Sequence, residues 1–152
     1  MNAEPVPTLI SAFRRAGRSM VDELVARLDA AGHPGITPSE HLVFESLPPD
    51  GARLTDLAAR LGTTHQAVGE LVAGLQRRGL LDRRPDPTDG RARLVVLTED
   101  GRNLVRVALR EIAAIEDEWA QRLAAAGLRG DVREALLVAL DQDRDGGRPR
   151  HR

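Results

Sequence analysis

The tightest constraint in this 152-residue chain is the spacing of Ala58, Gly62 and Val68. Two helices joined by a short turn and crossing steeply need a small residue at the crossing, which Ala58 supplies. Four residues on, the turn needs a position tolerant of positive φ, and Gly62 meets it. An apolar residue of the second helix must then pack back on the first, as Val68 can. Leu57, Leu61 and Leu71 fill the rest of a small core, so the pattern predicts a helix-turn-helix. Unrelated helix pairs also contain Ala and Gly, so the spacing gains force from the segment C-terminal to it. Residues 80–84 and 91–97 are extended around the turn-rich stretch 85–90, which predicts a β-hairpin directly after the second helix.

The remaining segments are helical. Leu9, Phe13, Ala16, Met20, Leu24 and Leu28 form one apolar stripe over residues 9–31. Thr37-Pro38-Ser39-Glu40 starts a short helix with a cap, a proline at the first position and a capping-box glutamate. Within the helix-turn-helix, helices are expected over about residues 56–61 and 64–78, closed by Gly62 and Gly79. Thr98 is an N-cap candidate, with Glu99 and Asp100 in the favourable first turn. Leu104, Ala108, Ile112, Ile115, Trp119 and Leu123 come next on one stripe. Gly127 to Gly130 breaks that helix, and a last one is expected over about residues 131–141. The polar stretch 143–152 is expected to be a disordered tail.

Composition narrows the function classes. There is no cysteine, which removes disulfides, thiolate metal sites and thiol redox sensing. His33, His41, His65 and His151 lack metal-ligand spacing. No Gly-x-Ser-x-Gly or phosphate loop occurs, so the chain is not expected to be an enzyme or to need a cofactor. No apolar run is long enough to span a bilayer, and Glu4, Pro5 and Pro7 replace a signal peptide, giving a cytoplasmic expectation. The net charge is only −1, yet residues 77–93 carry six arginines against three acids. Such a patch fits either a DNA-reading surface or a solvated face.

The run from Leu80 through Asp82-Arg83-Arg84-Pro85-Asp86-Pro87-Thr88-Asp89-Gly90-Arg91 to Arg93, followed by Leu97-Thr98-Glu99-Asp100-Gly101, resembles the wing of MarR-family regulators. Gln76-Arg77-Arg78-Gly79-Leu80 resembles the end of their recognition helix, and Ile36-Thr37-Pro38-Ser39-Glu40 the start of their second helix. The resemblance implies a mainly α fold with a small β-hairpin wing (α+β). A winged helix-turn-helix at about residues 36–98 would be flanked by dimerisation helices at about 8–31 and 99–142, one domain over 1–142. It further implies a homodimer on a pseudo-palindromic double-stranded DNA operator, with repression as the family default.

Carried over residue by residue, the resemblance puts Thr64, His65 and Gln66 at base edges in the major groove, with Gly69 allowing close approach. Arg91 enters the minor groove at the wing tip. Asp89 orients the wing arginines through a charge-assisted bond. Arg77, Arg78, Arg84 and Arg93 contact phosphates or support the wing. Glu70 departs from the pattern: it accepts from cytosine, points away from DNA or pairs with a nearby arginine. Arg14, Arg18, His41 and Phe44 would border a pocket for a small anionic or aromatic effector, against the alternative that Phe44 is core and the arginines are solvated. The competing function is a winged-helix interaction module without specific DNA readout.

Overall fold

The computed structural model describes residues 8–145. The order is α1 (Leu9–Ala30), α2 (Pro38–Ser46), β1 (Ala52–Arg53), α3 (Leu54–Leu61), α4 (His65–Arg77), β2 (Leu81–Asp86), β3 (Asp89–Leu97), α5 (Glu99–Ala125) and α6 (Val132–Asp145). The chain divides into two compact units, residues 1–112 and 113–152. In the first, the core is Leu24, Leu28, Val43, Leu57, Ala58, Val68, Val72, Leu75, Leu81, Val95 and Leu104, all buried. In the second, α6 leaves Leu137, Val138 and Leu140 more than half exposed (55%, 51% and 61%).

Local chemistry accounts for the helix ends. Thr8 and Thr37 cap α1 and α2 through reciprocal capping boxes, with Ser11 and Glu40 as the third residues. Thr98 accepts the Gly101 amide at 3.0 Å and so caps α5. Asp131 does the same for Glu134 of α6, also at 3.0 Å. α6 continues through Asp145, past the expected start of the tail at 143, and residues 146–152 lie outside the described ones.

The helix-turn-helix forms as its spacing predicts. Gly62 ends α3 in the left-handed region at φ 61°, and the Thr63 amide reaches the Ala58 carbonyl at 3.1 Å. Ala58 and Val68 are both buried, at 6% and 0% exposure. Gly101 is a close approach of a different kind: a Cβ there would overlap the Leu80 carbonyl, so α5 can start against the foot of β2 only with glycine.

The sheet differs from a plain hairpin. It has three antiparallel strands in the order β1-β3-β2, with Ala52 opposite Val95 and Arg53 opposite Leu94. β1 has two residues, too few to show an alternating pattern. Because β1 fixes Arg53 as the last extended residue, α3 begins at Leu54, two residues before the expected Asp56. The wing turn is also tighter than expected, just Pro87 and Thr88 between the strands. Pro85 is tolerated because β2 is an edge strand.

Candidate nucleic-acid interface

α4 presents one face to the core and another to solvent. Val68, Val72 and Leu75 are fully buried. Gln66, Glu70, Ala73 and Arg77, spaced to share a helix side, run along the opposite face, and all but Ala73 are exposed. Thr64 is the N-cap, its hydroxyl accepting the Ala67 amide at 3.1 Å, with exposed His65 beside it. The Gln66 amide donates to Glu70 Oε1 at 3.3 Å. Glu70 therefore sits within the solvent-facing stripe, and its partner is a glutamine rather than an arginine. A cleft of about 540 Å³ runs beside this helix, lined by residues including Ser39, Leu42, Leu61, Glu70 and Gly74.

The wing supplies a second surface. β2 and β3 pair in regular register from Leu81 with Leu97 to Pro85 with Arg93. The partner of Asp86 is then Asp89, which leaves Gly90, Arg91 and Ala92 without partners on β2. Arg91 thus stands at the centre of a bulge, the local device that bends a strand and re-aims a side chain. Arg84, Arg91 and Arg93 are all exposed. Among the described residues, the guanidiniums of Arg77, Arg84, Arg91 and Arg93 make no hydrogen bond or ion pair.

Three of the expected residues have neighbours within the fold. Arg78 is held within the fold: it donates to the Pro34 and Gly35 carbonyls at 2.9 and 3.0 Å and to Glu40 at 3.3 Å. It thereby ties the end of α4 to the start of α2. Gly69 lies beside α3, where a Cβ would make only ordinary contact with Leu54 at 3.6 Å, so packing within the fold does not require a glycine there. Asp89 orients backbone, not a wing guanidinium: its Oδ1 accepts the Arg91 amide at 3.2 Å, while its Oδ2 lies 3.5 Å from Arg53.

Sequence reasoning missed Arg53. Its Nε donates to Asp86 Oδ2 at 2.8 Å and its Nη2 lies 2.6 Å from the same oxygen. The other Asp86 oxygen accepts from the Thr88 hydroxyl and amide at 2.7 and 2.8 Å. The two Thr88 hydrogen bonds, side chain first, and then Arg53 bring the Asp86 pKa from 3.8 down to about 2. The sequence offers only an aspartate in an arginine-rich turn as a signal; its burial and its cation, 33 positions upstream, belong to the tertiary structure. Arg83 is a second such link, donating to Gln76 Oε1 of α4 at 3.1 Å.

The four expected effector residues are not joined by a hydrogen bond or ion pair among the described residues. Arg14 and Arg18 are exposed on α1, Phe44 is half-buried, and His41 lies 3.9 Å from Glu45. None of the four lines the cleft beside α4. No group of three or more potential metal ligands occurs among the described residues, and no helix there is long and apolar enough to cross a membrane.

Comparison with known proteins agrees with this geometry. Residues 34–92 match the model of the MarR family. An uncharacterised HTH-type transcriptional regulator of Mycobacterium bovis is 37% identical over 86 residues, 56% of this chain. The match spans 56% of that relative's length, little more than half. Among solved structures, RV1404 of Mycobacterium tuberculosis superposes with a TM-score of 0.69 at 26% identity, covering 99% of this chain and 100% of that one. CouR, a transcriptional repressor from Rhodococcus jostii RHA1, was solved on a 23-mer DNA duplex. It superposes with a TM-score of 0.68 at 25% identity, covering 92% of this chain and 98% of that one.

Proposed function

We propose that this chain, whose winged module is of the MarR type, is a sequence-specific double-stranded DNA-binding transcription regulator. The observation that carries the reading is the pairing of a solvent-facing α4 stripe with a wing whose Arg84, Arg91 and Arg93 are exposed and unpaired among the described residues. A guanidinium held out on a bulge is suited to a narrow minor groove, and a capped helix N-terminus to base edges and phosphate. Thr64, His65 and Gln66 are the base-reading candidates, and Arg77 a phosphate contact. The match to a DNA-bound repressor supports the same reading, with repression as the proposed sign.

The regulator acts as a homodimer. α1 exposes Leu9, Ile10 and Phe13, and α6 exposes Leu136, Leu137, Val138 and Leu140. Apolar faces of this extent are unusual on a monomer surface and are covered by a second copy. A small anionic or aromatic effector near Arg14, Arg18, His41 and Phe44 would release DNA by binding one dimer geometry more tightly than the other.

Fluorescence anisotropy tests the central reading, with DNA from the chain's own upstream region against a scrambled duplex across a salt series. Preference for the cognate duplex and a steep negative salt slope are expected. Arg91→Ala should weaken cognate binding roughly tenfold or more while the dimer persists. Equal weak binding to both duplexes, or none at low salt, would favour an interaction module. Unchanged DNA affinity with phenolic acids would remove the effector class.

A further inference from the structure

We propose that Arg53 is a positioning residue for DNA recognition. It locks the wing turn to the start of the helix-turn-helix and so fixes where Arg91 stands relative to α4. The inference rests on the DNA-binding reading above.

Arg53 occupies a junction. It is the last residue of β1 and the N-cap of α3, yet its side chain makes no cap hydrogen bond. The guanidinium turns instead to the wing, where it meets Asp86 at 2.6 Å and Asp89 at 3.5 Å. These two carboxylates frame the Pro87-Thr88 turn, one ending β2 and the other opening β3. Like charges so close repel, and one guanidinium between them converts that repulsion into a clasp. Asp86 is 6% exposed, so its charge depends on partners inside the fold.

The clasp leads directly to the DNA-facing side chain. Asp89 holds Arg53 through Oδ2 and accepts the Arg91 amide through Oδ1. Gly90, Arg91 and Ala92 have no ladder partner on β2, and this carboxylate gives the Arg91 amide an acceptor at the bulge. A protein that reads one duplex with both a helix and a wing must hold the two at fixed separation, because a displacement of about 1 Å is enough to degrade a preorganised site. Arg53 is covalently continuous with α3, which packs against the reading helix α4, and is linked through Asp89 to the Arg91 backbone, so it connects the two reading elements.

The test is a double-mutant cycle between Arg53 and Arg91 on cognate DNA, with folding followed by circular dichroism. Arg53→Met should weaken binding about tenfold, and the effect should largely vanish in the Arg91→Ala background, because the two act through one contact. Arg53→Met combined with Asp86→Asn removes the clasp without stranding a buried charge, and should show the same loss with the fold intact. Wild-type affinity in that folded double variant overturns the proposal. So does a loss that persists undiminished beside Arg91→Ala, which would make Arg53 a phosphate contact in its own right. Failure of the wild-type protein to bind cognate DNA would overturn the DNA-binding reading itself. Wild-type binding that is indifferent to Arg53→Met would overturn this inference alone.

Discussion

The helix-turn-helix and the last helix use the same kinds of residue to opposite ends. In α3 and α4, Leu57, Val68, Val72 and Leu75 are wholly buried by neighbours in the same unit. In α6, Leu136 to Val138 and Leu140 are exposed, although the helix is equally well capped. Capping and periodicity are properties of a segment. Burial is a property of what lies opposite, and α6 within its own unit leaves these side chains exposed. The contrast separates a module that carries its own core from a helix with an exposed apolar surface, for which a second copy is the proposed cover.

Four experiments can break or sharpen this contrast. Leu57→Ala, in the self-sufficient region, should cost about 2–5 kcal/mol of folding stability by urea denaturation, because a fully buried side chain leaves a cavity. A loss below about 1 kcal/mol would mean the core is looser than its burial implies. Leu137→Glu with Leu140→Glu, in the exposed face of α6, should weaken self-association by about 2 kcal/mol or more in analytical ultracentrifugation. Secondary structure should persist. An unchanged association constant would remove α6 from the interface.

Arg78→Ala should lower folding stability by about 1–3 kcal/mol, since its hydrogen bonds involve a charged group. Cognate DNA affinity of the folded variant should stay within about twofold of wild type. A much larger loss of affinity, with a shallower salt slope, would return Arg78 to the phosphate contacts.

The smallest effect concerns acid. The folded-state pKa of Asp86 is depressed from 3.8 to about 2, so its ionised form stabilises the fold above about pH 4. That contribution is lost as pH falls from about 4 toward 2. The melting-temperature gap between wild type and Asp86→Asn should therefore narrow over this window. A gap constant from pH 5 to pH 2 would mean that the carboxylate charge contributes nothing there.

Much of the architecture was legible locally. Caps at Thr37 and Thr98, the turn at Gly62 and the hairpin after α4 each depend on residues a few positions apart. Such interactions are written in spacing, because a helix or turn repeats within a handful of residues. The exposure of the wing arginines obeys the same logic, since a hairpin tip projects from its sheet. The sequence also determined what chemistry is absent: with no cysteine, no thiol mechanism is open to the chain.

Only the tertiary structure decided which arginines are free. Arg77 and Arg78 are neighbours in sequence, yet Arg77 faces solvent on the α4 stripe while Arg78 is held by Pro34, Gly35 and Glu40. Arg53 and Asp86 meet across 33 residues. No spacing rule connects such positions, because the separation is closed by the packing of β1 onto β3 and not by any local repeat. A cation's role depends on the nearest carboxylate or carbonyl in space, and only the folded chain determines which one that is.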